Sequence, residues 1–96
     1  MLPPDTTIGI ERHSLNCYPN PTNYFSKIIY EIPKEQQVTI SIYNVLGQKI
    51  TQIVSCRKEE NEYQLNYNFK NLANGIYFLV LKTKQKVVTK KIVVLH

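Results

Sequence analysis

The side chains of this 96-residue chain that could do chemistry are few: His13 and His96, Cys17 and Cys56, and a single aspartate, Asp5. A cysteine nucleophile needs a base beside it and a third group to orient that base. His13 and Cys17 are four residues apart, but no neighbouring residue supplies the third member. Bound metal needs three or four ligands converging on one point. Here the cysteines have no CxxC spacing, and the histidines stand near opposite ends of the chain. Glycine-rich phosphate loops and nucleophile elbows are absent, and only three glycines are present in all. The inventory therefore excludes an enzyme and calls for no metal or cofactor. Cys17 and Cys56 read as two buried or half-buried thiols, with a Cys17–Cys56 disulfide as the alternative in an oxidising compartment.

Charge is the next chemical feature, and it is uneven. The net charge is +5, with 12 Lys+Arg against 7 Asp+Glu. Five lysines (Lys82, Lys84, Lys86, Lys90 and Lys91) and no acid lie between residues 82 and 96, so the whole excess belongs to the C-terminal end. A basic end invites an anionic partner. Nucleic acid is a poor candidate, because no arginine cluster or oligonucleotide-binding signature accompanies the lysines. No run approaches the roughly 20 apolar residues of a membrane-spanning helix. The opening Met1-Leu2-Pro3-Pro4-Asp5 lacks the basic and apolar regions of a secretory signal, so either the protein stays inside or this is a piece of a longer one.

These residues must be held by strands. From Ser14 onward the apolar positions alternate: Ile28/Tyr30/Ile32, Val38/Ile40/Ile42, Ile50/Gln52/Val54, Tyr63/Leu65/Tyr67/Phe69, Ile76/Phe78/Val80 and Val88/Lys90/Ile92/Val94. With Asn16 to Tyr18 they make seven strands. The turns between them are explicit. Tyr18-Pro19-Asn20-Pro21 is a stiff turn through which no helix can pass. Gly47 closes a hairpin after Asn44 with a positive φ, and Gly75 ends a second turn of this kind. Polar connections are expected at Pro33 to Gln36 and Arg57 to Asn61, and Lys84-Gln85 is the tip of the last hairpin. Seven short strands with turns every 8 to 12 residues predict an all-β fold, a seven-stranded antiparallel β-sandwich of immunoglobulin-like proportions. Residues 1–13, with Pro3, Pro4 and Gly9 and no period, read as an extended linker, and residues 14–96 as the folded domain.

The punctuation also carries a resemblance. Cys-Tyr-Pro-Asn-Pro at 17–21, Ile-Ser-Ile-Tyr-Asn-Val-Leu-Gly-Gln at 40–48, Leu-Ala-Asn-Gly-Ile-Tyr-Phe-Leu at 72–79 and Thr-Lys-Lys-Ile-Val-Val at 89–94 come in one order. That order resembles the C-terminal sorting domain of type IX secretion cargo in Bacteroidetes, over about eight tenths of the chain. The resemblance implies a non-catalytic signal domain at the end of a longer cargo protein, joined to it in cis. Such cargo passes through the periplasm and crosses the outer membrane by a translocon and its shuttle, and is then secreted or held at the cell surface. In many members a sortase removes the domain by cutting the N-terminal linker, and the cargo is joined to an anionic lipopolysaccharide. Two departures stand out. Cys17 replaces the usual aliphatic residue before Tyr-Pro, and the chain ends in Leu95-His96, where many members end in a basic or bare aliphatic residue.

Within that frame, Lys90, Lys91, Ile92, Val93, Val94, Leu95 and His96 are the expected recognition residues. They would dock by charge pairing or by strand addition to an acidic or edge-offering surface. Tyr18, Pro19, Asn20, Pro21, Gly47, Gly75 and Tyr77 are expected to shape the scaffold, with the Tyr77 hydroxyl seeking a backbone partner. The lysines alone would also suit an edge strand protected from unwanted pairing. The rival reading is an adhesive or carbohydrate-binding sandwich, because seven tyrosines could form a stacking platform.

Overall fold

The computed structural model describes residues 12–96. The linker expected over residues 1–13 thus lies outside the described residues, apart from Arg12 and His13. Seven strands follow in order: β1 (Ser14–Tyr18), β2 (Phe25–Ile32), β3 (Gln36–Asn44), β4 (Lys49–Lys58), β5 (Asn61–Asn68), β6 (Gly75–Lys82) and β7 (Val87–Val94). They form two antiparallel sheets, β1-β2-β5 and β4-β3-β6-β7. The expected all-β sandwich is present. It departs from the four-plus-three constant-type immunoglobulin arrangement in one respect: the fourth strand pairs with β3, not with β5. Among the described residues there is no helix long and apolar enough to cross a membrane.

Strand alternation explains the core. One sheet turns Leu15, Cys17, Ile28, Tyr30 and Ile32 inward, and the other turns in Val38, Ile40, Ile42, Leu79, Leu81, Ile92 and Val94. Each of these side chains contributes about 1.5 to 3 kcal/mol on burial if aliphatic or aromatic and fully covered. Phe69 plugs one end of the interior, and its N–H donates to the Tyr24 carbonyl at 2.7 Å.

The strands extend further than their apolar residues suggest. β4 reaches Lys58, so Arg57 and Lys58 are strand residues and not loop, because the ladder continues through Gln37↔Arg57 and Gln36↔Lys58. Gln36 likewise opens β3 and is buried. β4 also fails to alternate cleanly. Its register with β3 shifts between Ile40 and Ser41 and again between Ile42 and Tyr43, which re-aims the side chains around Ile53 and Ile50 and leaves Ile50 exposed.

Cys17 and Cys56 are both free thiols. Cys17 lies buried in β1 and Cys56 exposed in β4, on edge strands of different sheets, and β1 packs beside β7, at the edge of its sheet opposite β4. Burial pushes the Cys17 thiol pKa up, against the smaller downward pulls of a Ser26 hydrogen bond and the Lys90 charge. The described residues hold no cluster able to bind a metal, and His13 and His96 sit at opposite ends of the sandwich.

Candidate docking pole

Strand direction brings four separate sequence segments to one end of the sandwich. β1 finishes there at Tyr18, β3 at Asn44, β5 at Asn68 and β7 at Val94, while β2, β4 and β6 start there. This pole therefore gathers the Pro-Asn-Pro turn, the Asn44–Gln48 turn, the Asn71–Gly75 loop and Leu95-His96.

The Pro-Asn-Pro turn has a particular task. Both of its X–Pro bonds, Tyr18-Pro19 and Asn20-Pro21, are cis. The Asn20 amide faces the outer edge of β7, where Nδ2 donates to the Lys91 carbonyl at 2.8 Å and Oδ1 accepts from Val93 N–H at 3.0 Å. The buried Thr22 continues the row as an isolated parallel bridge to Val94: its N–H donates to the Val93 carbonyl, and its carbonyl accepts from Leu95 N–H, both at 2.9 Å. An asparagine amide has the donor and acceptor of a peptide group, so one side chain imitates a neighbouring strand. Sequence reading recognised a stiff turn but missed the clamp. Its only signal is that an amide side chain, not an aliphatic one, stands between the two prolines.

The other segments are tied in the same way. His96 N–H donates to Asn74 Oδ1 at 2.9 Å, its ring Nε2–H donates to the Leu72 carbonyl at 2.6 Å, and its ring lies 5.6 Å from that of Tyr24. The Asn44 side chain accepts from Leu46 and Gln48 N–H, and Gly47 has φ +80, a left-handed conformation that glycine adopts without a Cβ penalty. Gly75, at φ +154, enters β6 in another conformation that side chains disfavour. The Tyr77 hydroxyl finds the expected backbone partner, the Ala73 carbonyl at 2.8 Å.

What this rigid frame displays is apolar. Of the large hydrophobic side chains exposed on the molecule, Tyr18, Tyr24, Phe25, Val45, Leu46, Ile50, Ile76 and Leu95 belong to this pole, and Leu46 is 78 % exposed. The remaining one among the described residues, Val87, belongs to the far end. Single exposed hydrophobics need no explanation, but a concentration of them at one end of a small domain marks an interaction surface.

The expected recognition residues are split by this geometry. Lys90 faces inward at the rim, in register with Leu79, whereas Lys91 points outward, in register with Phe78. Ile92 and Val94 are fully buried core residues and Val93 is half-buried. Leu95 and His96 alone in this segment reach the pole. Lys82, Lys84 and Lys86 lie at the opposite end, about 26 Å away over the eight residues of β7. Strand addition, expected for β7, finds its edge occupied from Lys91 to Leu95 by Asn20 and Thr22.

Residues 16–95 match the secretion system C-terminal sorting domain family, a span that includes the three turns of the pole and Leu95. The chain belongs to that family. It is a C-terminal sorting domain of type IX secretion cargo, and the family is non-catalytic. Membership implies secretion and an interaction with the type IX machinery. Comparison with curated proteins finds no match. In this sorting domain the turns hold β7 in place and leave a ring of apolar side chains outside.

Proposed function

We propose that the type IX translocon and its outer-membrane shuttle read this sorting domain at the apolar pole, chiefly through Leu95, His96, Leu46, Tyr24 and Phe25. The observation that carries this reading is the convergence of three turns, the last two residues and eight of the nine exposed large hydrophobics of the described residues on one end. Lys90 and Lys91 flank the β7 approach to that end and provide charge for steering, while Ile92, Val93 and Val94 anchor the segment from within. The described chain enters the fold at the other end, where Ser14 begins β1. Ser14 pairs with Glu31, six residues from the pole end of β2 at Phe25, so cargo joined through residues 1–13 would lie about 20 Å from the docking surface, at 3.3 Å per strand residue, and would not shield it. The same linker is the segment a sortase would cut after transit through the periplasm, releasing the cargo to the medium or the cell surface.

The test is a reporter cargo carrying this domain in a type IX secreting host. Leu46→Asp together with Leu95→Asp should abolish export while the purified domain keeps its melting temperature. Val87→Asp at the far end should export normally. Wild-type export by the Leu46/Leu95 variant, or equal loss in the Val87 variant, would refute docking at this pole.

A further inference from the structure

The outer face of the four-stranded sheet is chemically unlike the rest of the molecule. Its strands turn Lys49, Arg57, Lys82 and Lys91 outward and carry no carboxylate. Along its middle runs an open trough of about 430 Å³. The outward stripe of β3 (Gln37, Thr39, Ser41 and Tyr43) forms the floor, and Lys49 and Gln52 of β4 stand on one side, facing Lys82 and Lys84. The trough exists because short hydroxyl side chains at the sheet centre are flanked by long ones on its neighbours.

Three features define what could occupy it. The Gln37 and Gln52 amides and the Ser41 and Tyr43 hydroxyls have no hydrogen-bond partner among the described residues. Tyr63 and Tyr77 differ, since their hydroxyls are spent on the Glu59 and Ala73 carbonyls. Lys49, Lys82 and Lys84 form no ion pair among the described residues, where the sole salt bridge joins Arg57 to Glu35 at 3.0 Å. Finally, β3 is a central strand with both ladders occupied, by β4 and β6. An extended peptide could not add to it through backbone hydrogen bonds, so a ligand must be held by side chains alone.

Unpaired amides and hydroxyls beside an aromatic ring suit a ligand rich in hydroxyl groups, and lysines without acids suit one that is negatively charged. From this we infer that the trough is a binding site for an acidic polysaccharide, laid along β3 with its carboxylate or other anionic groups on Lys49, Lys82 and Lys84 and a sugar ring against Tyr43. This site is distinct from the apolar pole and would give the domain a glycan-binding activity of its own.

The 96-residue chain can be titrated by calorimetry at 150 mM salt, where loose electrostatic attraction is screened. The probes are polygalacturonate, neutral dextran and polyglutamate. Polygalacturonate should bind measurably and at least tenfold more tightly than either of the others. Lys49→Gln with Lys82→Gln should weaken it at least tenfold and Tyr43→Ala about fivefold, with unchanged melting temperatures. Lys27→Gln with Lys70→Gln, which removes the same charge outside the trough, should change it less than threefold. Equal loss in both lysine pairs, equal binding of polyglutamate or dextran, or no binding of polygalacturonate would overturn the assignment. Export of the reporter cargo is a separate readout, so failure here leaves the docking pole standing.

Discussion

The two ends of the sandwich are built by opposite means. At the apolar pole, turns and the last two residues are cross-tied by Asn20, Thr22, Asn44, Asn74 and His96, and hydrophobic side chains are left outside. At the linker end the surface is polar and charged: Arg12, Lys34 and Lys86 surround His13, whose Nε2 lies 3.0 Å from Thr83 Oγ1 and 3.3 Å from Gln36 Nε2. The difference teaches that hydrogen bonds at the pole do not cover its apolar groups. They fix the backbone so that those groups stay presented, which is what a docking surface requires.

The comparison breaks most severely if β7 loses its core anchor. Ile92→Ala removes a fully buried side chain and should cost about 2 to 5 kcal/mol in denaturant unfolding. Its effect on export would then follow from stability, unlike that of Leu95→Asp. Asn20→Ala comes next: two hydrogen bonds to β7 vanish, for about 1 to 3 kcal/mol. Hydrogen exchange should quicken at Val93 while the Thr83 amide, bonded to the Lys86 carbonyl, keeps its protection. Equal protection at both would mean that the turn is not the clamp. Gly47→Ala forces a Cβ into a left-handed turn and should cost about 1 to 2 kcal/mol, measured by thermal unfolding.

The smallest effect belongs to the linker end. Burial first, and the Lys86 charge second, hold the His13 pKa below its usual 6.5. The folded state therefore favours neutral imidazole, and its contribution is complete above pH 6.5 and declines as the pH falls from there through the lower folded value. His13→Gln should remove that decline from a stability profile between pH 7 and 5. An unchanged slope would show that His13 is not linked to folding.

Much of this was legible beforehand. Ile28 and Ile40 recur at period two with Tyr30 and Ile42, and Gly47 and Gly75 mark turns, because side-chain period and φ preference are local properties. β6 is the exception: every residue from Ile76 to Leu81 is apolar or aromatic, so the run hides its phase, and the structure buries Leu79 and Leu81 where Ile76, Phe78 and Val80 were expected. The role of Asn20 was not legible, since its partners are 71 and 73 residues away. The opposite facing of Lys90 and Lys91 follows from strand alternation, but that Lys82, Lys84 and Lys86 stand at the end away from Leu95 and His96, with Asn20 and Thr22 on the β7 edge, came from strand pairing.

The sequence by itself determined seven strands, the turns between them, a core of alternating aliphatics and the absence of catalytic machinery, because each follows from local chemistry. Only the tertiary structure decided which turns share an end, that Asn20 seals the edge of β7, and that the β3 stripe becomes a cationic trough. These arise from strand pairing and sheet packing, which join residues by register and not by proximity along the chain.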